Sequence, residues 1–356
     1  MNTLDRYLVR HVLIASLAAL VVLATVSAVF TFFAQLHNVG TFHYTIRTAL
    51  VYSASVLPQW AFNAFPIAVL LGALFGIGGL ASHHEIVAMR AAGLSFARLA
   101  AGLALGSLPL LVLAALLGQY LAPPLKVYAE TDRSLALYNE VSLFGPNGIW
   151  LRNEHRIVNI MRVGHHHVIQ GVSVYTYGRG ERLRSAGYAP RGVYQHGLWI
   201  LDAYRVTRWK DGRTIRVPPA RRTVPGLLDP GLFSVLAVSP SNLSGTGLWS
   251  YIRYLHANGL NATPYETAFW HKIASVCTIP IMILLALFFS AGPIRSPRTG
   301  QRLFLGILIG GLYKAFDATF LHAGAVFGIP PVVVAFLPVM GLLALALVLL
   351  WRVGRV

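Results

Sequence analysis

Few residues in this chain have a type and spacing that could do chemistry. His83-His84-Glu85 offers nitrogen and carboxylate donors, but position 88 is Ala, so the HExxH pattern that grips zinc on one helix face is not formed. The triplet His165-His166-His167 lies between strand-like stretches, with no Cys and no spaced His or Asp partner, and reads as a surface loop rather than a metal site. Gly76-Ile77-Gly78-Gly79-Leu80-Ala81 matches a GxGxxA fingerprint. It sits inside an apolar run and not between a strand and a helix, which removes the dinucleotide reading. The lysines Lys126, Lys210, Lys272 and Lys314 never follow a glycine, so the chain has no phosphate-cradling P-loop. If ATP drives this protein, another chain hydrolyses it.

The remaining candidates need their surroundings. Lys314 and Asp317 lie in the middle of an apolar run, where each costs about 2.5–3.5 kcal/mol on an insertion scale. Three residues apart on a helix they share a face, either as a structural pair or as part of the wall of a polar cavity. Lys272 opens another apolar run and can snorkel to head groups. Ser82 with Glu85 three residues on is a capping-box arrangement, Ile86, Val87 and Met89 supply an apolar face, and Gly93 can end the helix. Such a short amphipathic helix either plugs a groove on a soluble partner or lies on a membrane. Gly72-xxx-Gly76, Gly102-xxx-Gly106 and Gly306-xxx-Gly310 let helix backbones approach closely in lipid, within the chain or against a partner.

The elements that must hold these residues are membrane spans. Only 12% of the 356 residues are charged and 56% are hydrophobic, with mean hydropathy +0.61, whereas soluble domains carry about 25% charged residues. A soluble enzyme, a disordered scaffold and a fibre are excluded. Runs of about 20 apolar residues suffice to cross the hydrocarbon layer. They are expected at Val12–Ala34, between Arg47 and Glu85, and at Leu99–Leu125, Tyr265–Ser290, Leu303–Ala323 and Pro331–Trp351. The first resembles a signal peptide after Arg6 and Arg10, with Val26-Ser27-Ala28 as a small-residue site, but its apolar core exceeds the usual length of about 7–15 residues. It is expected to remain as a span.

Arginine in the short connections sets orientation. Arg6, Arg10, Arg90, Arg98, Arg295, Arg298, Arg302, Arg352 and Arg355 fall on one side and only Arg47 on the other, which predicts cytoplasmic termini. Most of the net charge of +17 is therefore topology rather than nucleic-acid affinity. The expected organisation is an α-helical polytopic membrane protein. Residues 1–125 hold three spans with a cytoplasmic helix at 82–98, residues 126–247 form an external β domain, and residues 248–356 hold three further spans. In the insert, Ile157–Val163, Val172–Tyr177 and Leu198–Leu201 alternate with period 2, and Gly178-Arg179-Gly180, Gly197 and Asp211-Gly212 punctuate them, the pattern of a sandwich or jelly roll. Its 16 Lys/Arg against 8 Asp/Glu suit either a polyanionic ligand or a plain solvated surface. The lone Cys277 excludes a disulfide within the chain.

Glu85-Ile-Val-Ala-Met89-Arg90-Ala-Ala-Gly93 resembles the coupling helix of the lipopolysaccharide-export permeases, the LptF/LptG family. The resemblance covers essentially the whole chain. It includes Leu4-Asp5-Arg6-Tyr7, Phe65-Pro66, Leu71-Gly72-Ala73-Leu74, Gly148-Ile149-Trp150-Leu151-Arg152, Trp270-His-Lys272 and Gly292-Pro-Ile-Arg295-Ser296. The first, the Trp-x-Lys and the last of these are on the LptG side. The resemblance implies an inner-membrane subunit with a periplasmic jelly roll between the third and fourth spans, paired with an LptF-type permease. An LptB-type ATPase dimer would use ATP and Mg, with no cofactor in this chain. An LptC-type protein, and LptA through it, would continue a bridge across the periplasm. It further implies ATPase coupling through Glu85, Ile86, Met89 and Arg90, gates at the first and fifth spans with Thr31, Lys314 and Asp317 on the gate or cavity wall, and Phe62 and Phe65 facing the lipid chains.

One departure bears on the head group. Where the family often carries lysines at the outer end of the first span, this chain has Thr31, Gln35, Leu36, His37 and Asn38, and Gln59 stands where a lysine can occur. Either phosphate binding leans on Arg133, Lys272 and protonated His37, with Gln35 also among the expected substrate-binding residues, or the substrate carries fewer or differently placed anions. The alternatives are the sister LptF-type subunit, a membrane enzyme acting on lipid-linked substrates, and an ABC-type mechanotransmitter that moves no substrate. An enzyme needs convergent acids, and only scattered Glu130, Asp132 and Glu266 are available.

Overall fold

The computed structural model describes residues 3–138, 149–153, 156–164, 168–178, 182–195, 198–210, 213–224, 240–291 and 299–354. Gly148, the His165–His167 triplet, Arg179, Gly180, Gly197, Asp211, Gly212 and the Gly292–Ser296 stretch lie outside these residues.

Among the described residues six helices are long and apolar enough to cross a membrane, three before and three after a β-sheet. They are α1 (Thr3–Leu36), α2 (Ile46–Ser82), a third span from Phe96 to Leu137, α8 (Thr263–Ala291), α9 (Thr299–Phe327) and α10 (Pro331–Gly354). All six match the expected runs, with ends that extend past the apolar cores because backbone hydrogen bonds must be closed within the segment. The third span is composite: α4 (Phe96–Gly106), α5 (Leu108–Leu116), a π turn (Leu117–Leu121) and α6 (Ala122–Tyr138). Short α3 (Glu85–Ala91) follows α2, and α7 (Gly245–Ala257) precedes α8.

The chain divides into two compact units. The first comprises Met1–Thr31, Val56–Pro124 and Thr263–Val356. Its core joins Phe65, Leu70, Leu74, Ile77, Leu103, Ile279 and Met282 with Ile86 of α3. With no hydrophobic drive between helices in lipid, close backbone approach matters more. All three glycine pairs serve it inside this chain. A methyl on Gly72 would strike the Ser16 backbone, and one on Gly76 would come within 3.0 Å of the His11 carbonyl oxygen. Gly102 and Gly106 likewise face Asp5 and Val9, while Gly306 and Gly310 seat against Leu71, Leu74 and Ile67 of α2. Four glycines of two spans thus make one seat for α1. The buried stripe of α1 matches that seat: Asp5, Leu8, Val9, Val12 and Ser16 are buried, and no residue between Ser16 and Gln35 is.

The second unit comprises Phe32–Ser55 and Leu125–Ala262. Its sheet has six antiparallel strands in chain order: β1 (Ile149–Asn153), β2 (Arg156–Gly164), β3 (Val168–Tyr177), β4 (Leu183–Gln195), β5 (Leu198–Lys210) and β6 (Arg213–Val224). The expected inserted β domain is present, and each strand pairs with its sequence neighbour because short connections favour hairpins. Val158, Ile160, Ile169, Val172, Val174, Ala189, Trp199, Leu201, Tyr204 and Val206 form its core.

Alternation breaks once in each of three adjacent strands. Burial passes from Ile169 to Val172 in β3, from Ala189 to Gly192 in β4 and from Leu201 to Tyr204 in β5. Gly171 (φ +65°) and Ala203 (φ +49°) mark two of the breaks and Pro190 the third. The β3–β4 and β4–β5 registers stay constant across them, as Gln170↔Arg191, Val172↔Ala189 and Arg191↔Asp202 show. The irregular residues therefore line up as a crease, and one face keeps its apolar side chains on both sides of it. Between β5 and edge strand β6 the register instead shifts on both sides of Tyr204↔Ala220, next to Pro218 and Pro219, where a missing N–H is tolerated.

Candidate functional site

Glu85 opens α3, and its neighbours differ from the capping-box expectation. The Ser82 hydroxyl donates back to the Gly79 carbonyl (2.7 Å), ending α2. His84 takes the N-cap position in the left-handed region with no side-chain cap, in the short turn between α2 and α3. The other end is as expected. Gly93 (φ +91°) donates to Arg90 O, and Leu94 donates to Met89 O, the paired bonds of a Schellman stop. Ile86 is buried in the transmembrane core and Met89 packs on it, so both anchor α3 to its own chain. Val87 and Arg90 face outward. The outward side of α3 is thus Val87 and Arg90 with half-buried Glu85, while Ile86 and Met89 pack inward.

Two ties to α1 were not legible in the sequence. Tyr7 Oη donates to Glu85 Oε2 at 3.0 Å. Arg98, on the first turn of α4, donates through Nη2 to Asp5 Oδ2 at 2.8 Å, with the Asp5 side chain only 8% exposed. Glu85 also stands on the wall of a cleft of about 580 Å³ with His11, Phe75 and His83.

In the second unit, Arg133 lies in a cluster on α6. Lys126 Nζ meets Glu130 Oε1 at 2.7 Å and Arg133 Nη1 meets Glu130 Oε2 at 3.7 Å. Tyr52 Oη also donates to Glu130 Oε1 (3.1 Å), and both cations lie over the Tyr52 ring, at 5.6 and 5.4 Å. Arg133 Nε is buried with no hydrogen-bond partner among the described residues. Two cations around one carboxylate, one with a spare N–H, form a place where an anion's oxygens can bind. Lys126 and Glu130 were missed as members of this site, although 126, 130 and 133 recur at helical spacing and share one face.

The other expected head-group contacts are placed differently. Lys272 donates to Gly118 O at 2.9 Å, inside the π turn, and lies 5.3 Å from the Phe62 ring centroid. A π turn leaves the helix ladder out of step, and the ammonium satisfies a carbonyl there. Phe62 packs where a Gly118 side chain would stand, and Phe65 is enclosed in the core. Both rings are buried by their own chain. Gln35 is buried too, its Oε1 accepting from Tyr44 Oη and Asn38 Nδ2, each at 3.1 Å. Burial pushes the Tyr44 hydroxyl up from its ordinary range, which keeps it a donor. Gln35 therefore braces the turn after α1. His37 is exposed, with Nδ1 on Ala34 O at 2.8 Å, and Thr31 is half-buried. The expected Lys314–Asp317 pair (3.4 Å) gains a nearer third member, as His271 Nε2 of α8 lies 3.0 Å from Asp317 Oδ1. Among the described residues no group of three metal-ligating side chains converges.

A family described as "Lipopolysaccharide export system permease LptF/LptG" matches residues 6–352, both sets of spans and the sheet between them. The chain belongs to the LptF/LptG family. The Lipopolysaccharide export system permease protein LptG of Escherichia coli K12 is 31% identical over 357 residues, covering 99% of this chain and 98% of that protein. The LptG of Haemophilus influenzae is 30% identical over 352 residues, covering 98% and 97%. This LptF/LptG permease is thus of the LptG type, a multi-span membrane protein whose relatives are transport subunits.

Proposed function

We propose that this chain is the LptG-type permease subunit of an ABC transporter that extracts lipopolysaccharide from the bacterial inner membrane and passes it to a periplasmic bridge. The observation that carries this reading is the family match over residues 6–352, which spans all six membrane helices and the inserted sheet together. Both termini are cytoplasmic and the inserted β domain of residues 126–247 is periplasmic, as the arginine distribution supports. An LptF-type permease completes the membrane pair. An LptB-type ATPase dimer supplies ATP hydrolysis with Mg, and an LptC-type protein continues the sheet toward LptA. The chain itself does no bond chemistry.

Geometry supports two assignments within this role. Glu85, Val87 and Arg90 are the surface that meets the ATPase, and Glu85 keeps one carboxylate oxygen, Oε1, for a donor from that partner. Arg133 with Lys126 receives an anionic head group. The test is reconstitution of the chain with its LptF-type and LptB-type partners in lipopolysaccharide-containing vesicles. ATP-dependent transfer of intact lipid to the soluble bridge protein is expected. A chemically altered lipid, or ATP hydrolysis with no transfer, would overturn the reading in favour of an enzyme or of a mechanotransmitter.

A further inference from the structure

The apolar face of the inserted sheet ends on a basic row. Val158, Val174, Gly187, Val206 and Val217 lie opposite one another across β2 to β6. Two residues further along, on the same face, the row is Arg156, Thr176, Ser185, Arg208 and Ile215. Arg222 of β6 shares that face, because it pairs with buried Leu201. Gly187 is the one member of the valine row with no side chain, and a methyl there would strike Tyr204 Oη. Tyr204 thus lays its ring over Gly187, one row from the arginines, and its left-handed neighbour Ala203 (φ +49°) turns it onto this face. Tyr204 is only 8% exposed, yet among the described residues its hydroxyl has no hydrogen-bond partner.

Unpaired charge separates this row from an ordinary solvated surface. The residue before Arg222, Arg221, faces the other way and pairs with Asp202 at 3.2 Å. Arg156, Arg208 and Arg222 are exposed, and among the described residues none of them has an acid within ion-pair distance. Burial pushes the Tyr204 hydroxyl above its ordinary range, against the pull of Arg222, Arg156 and Arg208, so it stays a donor within the field of all three charges. Guanidinium forks and the hydroxyls of Thr176, Ser185 and Tyr204 can all donate to an oxyanion, and each fork takes two phosphate oxygens at once. Arg156 and Arg208 stand three strand spacings apart, about 14 Å, which suits a ligand with more than one phosphate. We infer that this end of the sheet is a phosphate-binding site for the head group of the lipid cargo. The inference rests on the reading of that cargo as lipopolysaccharide. At the Arg133 cluster the cations share Glu130, whereas here no described acid competes with the ligand.

The first arm uses the full-length chain in detergent, with Arg133→Glu silencing the cluster on α6 and inorganic pyrophosphate as the probe. Calorimetry is expected to record binding that Arg156→Gln with Arg208→Gln weakens by about ten- to a hundredfold, the worth of a charge-assisted contact. Tyr204→Phe keeps the ring over Gly187 and removes only the hydroxyl, so a partial loss from it separates binding from a folding defect. The second arm uses the complex with its partner permease and ATPase, carrying a photo-crosslinker at Ile215, which is exposed on β6 opposite Arg208. In vesicles holding lipopolysaccharide and phosphatidylglycerol, ATP is expected to drive crosslinks to lipopolysaccharide, and the double arginine variant to remove them. Crosslinks to phosphatidylglycerol without ATP would make the row a contact to the membrane surface and overturn the assignment to cargo. If the complex delivers lipid and no variant changes pyrophosphate binding, the site falls alone. If binding depends on the arginines but no lipid is delivered, the transport reading falls and the assignment to cargo with it.

Discussion

Glu130 is ion-paired with both cations of the proposed head-group site. Its carboxylate is shared by Lys126 and Arg133 and accepts the Tyr52 hydroxyl. Removing its charge should leave both cations in place and unneutralised. Glu130→Gln is therefore expected to increase photo-crosslinking of lipopolysaccharide near Arg133. Arg133→Glu is expected to weaken binding by roughly ten- to a hundredfold, the worth of a desolvated charge-assisted contact. Reduced crosslinking in Glu130→Gln would show the carboxylate to be a brace for the cations. Lys272 calls for a different outcome. Without it the Gly118 carbonyl loses its donor, so Lys272→Met should lower stability by about 1–3 kcal/mol and leave head-group binding intact, read by thermal unfolding in detergent beside a lipid-binding assay. At this scale the sequence was least informative. Lys314 with Asp317 was legible because both charges share one short stretch. Asp5 with Arg98 was not, because 93 residues separate them and neither position marks its partner.

Elements were legible wherever periodicity is strong. The six spans follow from apolar length alone, and the alternation of Ile157–Val163 and Val172–Tyr177 is indeed β-structure. The crease was invisible for a physical reason. A parity break in one strand reads as two unrelated short strands, and only pairing shows that three breaks align. Gly171 lies at that line with positive φ and with Met161 side-chain atoms 2.8–2.9 Å from where a Cβ would sit. Gly171→Val is expected to cost more than about 2 kcal/mol and to make the sheet protease-sensitive in the full chain, with the spans still inserted. Wild-type resistance would show that the crease accepts side chains. The helix side offers a parallel case: the three glycine pairs were visible as motifs, but not that two of them would grip the same helix.

For the whole molecule, orientation is the property on which both proposed roles depend. With Cys277 replaced by serine, a cysteine at Ile215, exposed on β6, should react with an impermeant thiol reagent from the periplasmic side only. A cysteine at Val87, exposed on α3, should react only after the inner membrane is opened. The reverse pattern would invert the topology and remove α3 from reach of a cytoplasmic ATPase. Hydropathy made the layout legible, whereas the division into two compact units reflects contacts that no local pattern records.

The aligned breaks in the sheet also restrict how this chain can change length. Deleting a single residue beside Ala203 would turn the remainder of β5 over, sending Tyr204 and Val206 to the outer face and Arg205 inward. Strands β3 and β4 would still carry their own extra residue and would no longer match it. The deletion becomes tolerable only when neighbouring strands lose a residue at the same level. Insertions and deletions across this line are thus coupled between strands, while the hairpin ends, free of that bookkeeping, can lengthen or shorten one at a time.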